Sequence, residues 1–477
     1  NMTTKQFEHN LLKWLPFFVV ALIFGYISYF SQDSYGGADD LHHYRISRYA
    51  FQNPLLFFDL WGKPVFTFLS APFSQFGYNG TRFYNLLAAL LTAFFTWKLV
   101  SHKGMKNAWM IVPFIIFAPV YASMIPSAMT EITGSMFLTL ALMLYFRKQF
   151  LLAAIVISFL PFARIEGLFI LPLFGLLFLI RKQWKAIPFL LTGVLVYTVI
   201  GGFFTGDFLW LVHNFPYTSK SAGIYGSGSL LYYIDRSKLI WGIPLTLLFI
   251  MGLLKLIFDL AKTKFSKSNQ HLDDFVLVFL SVLIILSFHS VTWFLGSGAL
   301  ALDRFMALVV PSFVVLSLNG YNLIEKNITF NKKWAATSLK ILILIIVVRT
   351  TFLMYQLPVP ISAAKDTISQ ACQHIIDNKL EGRMIYYYDP NVFFILDIDP
   401  TDDSKIREAI PDNLHPGNEM IPGSILFWDS HFSPGQGNLP LERILENENF
   451  KTLGVFEPGP DSRKKESDYV VYLFEFI

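Results

Sequence analysis

The stretch GGADDLHHYRISRY, residues 36–49, sets two adjacent carboxylates, Asp39 and Asp40, beside two histidines and two arginines directly after an apolar run. Its composition predicts a helix with both acids in the first turn. There the helix dipole favours an ionised carboxylate, the form a general base needs. The same pair also fits a plain helix cap. Glu131, in SAMTE, lies just inside a later apolar run. A carboxylate at that depth is functional by default, with an interhelical hydrogen bond as the structural alternative. Arg164 and Glu166, in FARIEGLF, fit either a local ion pair or a direct role. Residues 205–238 gather His213, Lys220, Tyr225, Tyr233, Asp235 and Arg236 among glycines that admit a ligand closely. Asp303 and Arg304 open another apolar run, where an arginine suits either a lipid head group or an anionic phosphate.

Carboxylates, arginines and aromatic residues on one face of an apolar protein suit a particular chemistry. An anionic leaving group on a membrane lipid needs cations at the interface and a greasy groove for its tail. A hydroxyl nucleophile arriving from water needs a carboxylate base. Transfer of a sugar from a polyprenyl-phosphate carrier meets both needs.

The elements that must position these residues are apolar helices. Of 477 residues, 54% are hydrophobic and only 15% charged, against about a quarter charged in soluble proteins. An integral membrane protein follows. The single cysteine, Cys372, excludes an internal disulfide framework and a cysteine-based metal cluster. Segments 14–30, 81–100, 107–123, 129–146, 149–163, 167–181, 186–204, 239–258, 275–294, 300–318 and 337–356 approach the length of a membrane span, about eleven in all. The first reads as a retained span rather than a cleaved signal. Lysine and arginine clusters follow alternate spans, which makes their side cytoplasmic. Residues 36–49 then face outward, and so does everything beyond the last span. Two helices lying in the interface are predicted within 31–80, the second broken at Gly62-Lys63-Pro64. The predicted domains are a transmembrane module, 1–357, and a small soluble α/β domain, 358–477. The latter has a helix over 362–380 and strands over 383–388, 392–398, 424–428 and 469–476.

These motifs, in this order and topology, resemble the GT-C superfamily of membrane glycosyltransferases. The likeness is to its protein O-mannosyltransferase and aminoarabinose-transferase branch, and to its lipid-linked-oligosaccharide and GPI-anchor mannosyltransferase branch. The acidic pair after the first span, SAMTEITGSMFLTLALMLYF, FARIEG and HNFPYTSKSAGIYGSGSLLYYI carry the resemblance, which covers residues 14 to about 356. Ile165 stands where the family commonly has proline, and Asp40 where one branch has glutamate.

The resemblance implies an inverting transfer of mannose or a similar hexose from a polyprenyl-phosphate donor to an acceptor hydroxyl outside the cytoplasm. Asp39 would be the base, Asp40 its neighbour or substitute, and Glu131 would orient the acceptor or the base. Arg304, with Arg164, Arg236 or Lys220, would hold the donor phosphate. His42, His43, His213, Tyr225 and Tyr233 are candidates for acceptor or sugar contacts. No cofactor is implied, although paired carboxylates leave room for a divalent ion. The expected setting is a bacterial inner membrane, with the N-terminus cytoplasmic and the C-terminal domain periplasmic. The expected partners are the lipid-linked donor, membrane lipid and a glycan, lipid or protein acceptor. The competing class is a transporter or flippase of a lipid-linked saccharide. Such folds show internal repeats and ionisable residues at mid-membrane depth, whereas this sequence shows no repeat and gathers its ionisable residues at one face.

Overall fold

In the computed structural model, residues 4–216, 225–263, 270–328, 332–460 and 468–477 are described, and for 4–13 only the backbone. They form two compact units, one of the residues up to Phe30 with Ile46–Leu357, the other of Ser31–Arg45 with Pro358–Ile477.

The first unit is helical. Among the described residues, six helices are long and apolar enough to cross a membrane: Tyr78–His102, Trp184–Thr205, Ile243–Lys262, Gln270–Phe294, Asp303–Ile328 and Lys333–Met354. Shorter apolar helices cover Trp14–Phe30, Glu131–Phe146, Phe150–Ala163 and Gly167–Ile180. The predicted span 107–123 is not one helix. It divides into Ile111–Ile116 and Pro119–Met124, because Pro119 cannot continue the hydrogen-bond ladder of the preceding turn. Both pieces are buried, so this segment is core rather than a lipid-facing span. Helices Ile243–Lys262 and Val310–Ile328 pack backbone to backbone. A methyl group added at Gly252 or Gly320 would lie 1.9 Å from a carbonyl oxygen of the facing helix. Small residues permit this approach where lipid supplies no hydrophobic drive between helices.

Within 31–80 the structure has the helix Ala38–Tyr49, a short turn Pro54–Phe58 and the helix Pro64–Ser74. The break at Lys63 carries φ +64° and ψ 91°, a backbone that a lysine adopts only under constraint.

The second unit is built on a five-stranded sheet: β1 (Ile385–Tyr387), β2 (Ile406–Glu408), β3 (Ile425–Asp429), β4 (Phe450–Phe456) and β5 (Val471–Phe476), in the order β2-β1-β3-β5-β4. β2, β1 and β3 are parallel, and β3, β5 and β4 antiparallel. Alternation puts Leu426, Trp428, Phe474 and Phe476 on one buried face. The helix Ala363–Asp377 buries Ile368, Ala371, Cys372 and Ile375. The predicted strand 392–398 is instead a helix, Asn391–Ile395. Pro390 presets helical φ there, and the Asp389 carboxylate accepts the Asn391 N–H at 2.9 Å. β2 and β4 were not predicted, since β2 has only three residues and β4 is broken by charge and by Gly454.

Ser31–Arg45 joins this unit through definite bonds. Gln32 N donates to Val359 O at 2.9 Å, Val359 N to Ser31 Oγ at 2.9 Å, and Ser362 N to Asp33 at 3.0 Å. The acidic pair therefore belongs with the sheet-bearing unit, although its sequence position falls within 1–357.

Candidate active site

The first unit holds a buried cluster of ionisable side chains at the start of the helix Glu131–Phe146. The turn before it is fixed from the helix Tyr78–His102. Asn85 donates to Ser127 O at 2.7 Å and Met129 O at 3.1 Å, and Arg82 Nε to Pro126 O at 3.1 Å. Glu131 is fully buried. Its Oε1 accepts Arg164 Nη1 at 3.0 Å and lies 3.6 Å from Arg304 Nε. Its Oε2 has no hydrogen-bond partner among the described residues, a costly state for a buried carboxylate oxygen.

Arg164 leaves the short helix Leu160–Ala163 in extended conformation. It donates to Thr130 at 3.1 Å and forks onto Glu166, with Nε to Oε2 at 3.1 Å. Room for its stem comes from Gly134, where an added methyl would sit 2.7 Å from Arg164 Cγ. Glu166 also meets His289 Nε2 at 3.2 Å. Burial works against ionising Glu166, but the Arg164 guanidinium and then the His289 hydrogen bond offset it and hold the carboxyl well below its usual range. His289 stacks on Phe305 at 4.3 Å, and that ring also lies 5.4 Å from the Arg164 guanidinium and 5.9 Å from that of Arg304.

Lys63 completes the group. It is buried, and its Nζ donates to Trp61 O at 2.9 Å and Leu60 O at 3.3 Å. Burial and then the Arg164 charge push its pKa down to about 7, against the opposing pull of Glu166, Asp59 and Glu131. Lys63 also lines an apolar cavity of about 140 Å³ with Leu60, Phe162, Ile165, Leu168 and Leu211. Arg164 and Arg304 thus meet Glu131, Arg164 also meets Glu166, and Lys63, which feels the charge of both carboxylates, lines the apolar cavity.

The structure brings Glu131, Arg164 and Arg304 together, and adds Lys63, Glu166 and His289. Sequence reasoning gave no chemical role to Lys63 or His289. The signal for Lys63 was present, as a lone lysine between Gly62 and Pro64 in an otherwise apolar segment. Nothing in the sequence around His289, set in SFHSVTWF, separates it from a core histidine. The remaining candidates of this unit lie differently. Arg236 closes on Asp303 in a bidentate pair at 2.6 and 2.7 Å. His213 pairs with Asp207 at 2.7 Å on an exposed turn, and Tyr225 is exposed. Tyr233 is fully buried, its ring 6.3 Å from that of His289. Lys220 lies outside the described residues.

In the second unit, Asp39 and Asp40 occupy the first turn of their helix. Asp39 is half-buried, while Asp40 is buried and accepts the Ser34 hydroxyl. Asp40 lines a cavity of about 420 Å³ together with Asp33, Asp389, Asn391, His431 and Tyr469. Burial and then the Asp429 charge push Asp389 up to about 6. His42 is held down to about 3 by burial and then by Arg45, so it is neutral at physiological pH. His43 is buried beside it. Among the described residues, no group of three or more His, Cys, Asp or Glu converges in a metal-binding arrangement.

No protein-family model matches the sequence, and no curated protein matches it. The fold is similar to that of ArnT from Cupriavidus metallidurans, solved in the apo state and bound to undecaprenyl phosphate. The TM-score is 0.58 at 12% identity, over 96% of this chain and 97% of that one. It is also similar to the arabinofuranosyltransferase AftD from Mycobacteria, with a TM-score of 0.52 at 11% identity, over 96% of this chain and 40% of that one. The likeness is one of fold, a many-helix architecture with a small C-terminal sheet domain in this chain.

Proposed function

We propose that the chain is an inverting glycosyltransferase that moves a sugar from a polyprenyl-phosphate carrier to an acceptor hydroxyl on the extracytoplasmic face of a membrane. The observation that carries this reading is the pairing of Arg164 and Arg304 with Glu131 and Glu166, with Lys63 under the influence of the same charges and lining an apolar cavity. A lipid phosphate needs this combination: preset cations for its head and a greasy wall for the start of its tail. Undecaprenyl phosphate in the fold-mate ArnT supports the same ligand class.

In the reaction, the acceptor oxygen attacks the anomeric carbon as the bond from that carbon to the phosphate oxygen breaks. The acceptor proton passes to Asp39, and the electron pair stays on the lipid phosphate. Negative charge on that phosphate grows, and the buried cations stabilise it without reorganising. Glu131, whose Oε2 has no hydrogen-bond partner among the described residues, accepts a substrate hydroxyl. Asp39 is the base because it is half-exposed at a helix N-terminus. Asp40 is committed to Ser34 and fixes that first turn. Mannose or a similar hexose is our inference for the sugar, on motif resemblance, and the setting is a bacterial inner membrane with the sheet unit in the periplasm.

The test is an assay of purified protein with a panel of synthetic polyprenyl-phosphate sugars, following release of the lipid phosphate. Wild type should release it from at least one donor in an acceptor-dependent way, and Asp39→Asn should not. Absence of release from every donor would overturn the proposal.

A further inference from the structure

A second layer of ionisable groups lies at the other end of the helices that carry the cluster. The helix Glu131–Phe146 has 16 residues, which separates its ends by about 22 Å. At its far end is a cavity of about 460 Å³ whose walls include His102, Lys103, Tyr145, Lys148, Arg181 and Asp273. The basic residues come from three separate stretches of chain: the end of Tyr78–His102, the turn after Glu131–Phe146, and the end of Gly167–Ile180.

Two of these cations are neutralised locally. Lys103 pairs with Asp274 at 2.6 Å and Arg181 with Asp273 at 2.7 Å, all four side chains being largely buried. Both aspartates sit where the helix Gln270–Phe294 departs into a π-helical stretch, Asp274–Phe279, a distortion frequent at functional sites. Lys148 remains, with no ion pair among the described residues. It occupies the left-handed position after its helix, φ +62°, and the backbone closes around it from Gln149 N to Leu144 O at 2.9 Å. Glycine is the residue that bears this turn without steric cost. That backbone bond caps the helix without the side chain, and the Lys148 side chain is exposed at the cavity wall. The cavity carries a surplus positive charge at the membrane face to which the lysine distribution assigns the cytoplasm. Basic pockets between helices on that side recognise lipid head groups.

We propose that this cavity binds the phosphate head group of an anionic membrane lipid in the cytoplasmic leaflet, with Lys148 as the residue that selects it. Binding here is independent of glycosyl transfer and about 22 Å from Glu131.

The full-length protein, purified in detergent and stripped of lipid, is titrated with short-chain phosphatidylglycerol, with phosphatidylcholine of equal chain length, and with inorganic phosphate, while complexes are counted by native mass spectrometry. Phosphatidylglycerol should bind tighter than phosphatidylcholine. Lys148→Gln should weaken it roughly fivefold, the contribution typical of one lysine at an anionic lipid surface. Lys148→Arg should retain binding. Lys182→Gln, at a left-handed position after its own helix (φ +57°) but outside the cavity wall, should bind as wild type does. Equal binding of the two lipids, or a Lys148→Gln protein indistinguishable from wild type, overturns the proposal. Inorganic phosphate that displaces the lipid with equal potency assigns the site to a soluble anion and overturns it as well.

Discussion

Lys63 is the residue whose chemistry is tuned most plainly. Its amine, lowered to about 7 by burial and the neighbouring Arg164, carries its proton below that pH and loses it above. If the ammonium holds the donor phosphate, donor KM should be flat at acid pH and rise as pH passes through about 7. Lys63→Arg, charged throughout, should abolish the rise, whereas Lys63→Met should give the high KM at every pH. Steady-state kinetics from pH 6 to 8.5 checks this. Asp39→Asn should lower turnover by about 10²–10⁴-fold, the range of a general base, with donor binding intact. Asp40→Asn should act mainly through the Ser34 hydrogen bond and cost less. At this scale the sequence was informative where an ionisable residue stands out from its neighbours, as Glu131, Arg164 and Arg304 do. It was silent on pairing, because Arg236 and Arg304 look alike in sequence and only folding shows that Asp303 takes the first.

Helices place these residues through close contacts that leave no slack. Gly134 lies one turn after Glu131, and any side chain there collides with the stem of Arg164. Gly134→Ala should therefore displace Arg164 from Glu131 and Glu166, reduce transfer at least tenfold and lower the thermal midpoint as well, since the buried carboxylates lose their cation; activity assays and melting curves check both. Gly252→Val should act on stability without touching this cluster. It drives apart the helices Ile243–Lys262 and Val310–Ile328 at their nearest approach, and lowers stability by about 1–3 kcal/mol, as overpacking does. Hydropathy located these helices well, because length and apolarity are local properties. It could not reveal that 107–123 breaks at Pro119 and is core, since burial by protein and burial by lipid select the same residue types. The strands β2 and β4 were missed for a related reason: a short or edge strand has too little pattern of its own, and its partners define it.

For the whole molecule, the division into a helical unit and a sheet-bearing unit predicts separable responses to pH. In the sheet-bearing unit, Asp389 is raised to about 6 by burial and Asp429. Below the ordinary carboxyl range, folded and unfolded chains both carry this proton. Between there and about 6 the unfolded chain ionises first, so stability falls as pH rises through that window. Asp412, held down to about 2 by hydrogen bonds led by the His415 backbone, acts in the opposite sense at lower pH. Its contribution is present above the ordinary carboxyl range and is lost as pH falls towards 2. Hydrogen exchange in β3 and β5 should therefore show greatest protection at about pH 4, in the ordinary carboxyl range, declining until about pH 6, whereas a monotonic rise would contradict the assignment.

If Lys63 and Arg304 hold the lipid phosphate, as proposed, undecaprenyl phosphate should bind the purified protein through them, which equilibrium binding measures. Wild type should bind it in preference to undecaprenol, and Lys63→Met and Arg304→Gln should each weaken binding at least tenfold at pH 6.5. Equal affinity in wild type and both variants, or equal affinity for the alcohol, would contradict it.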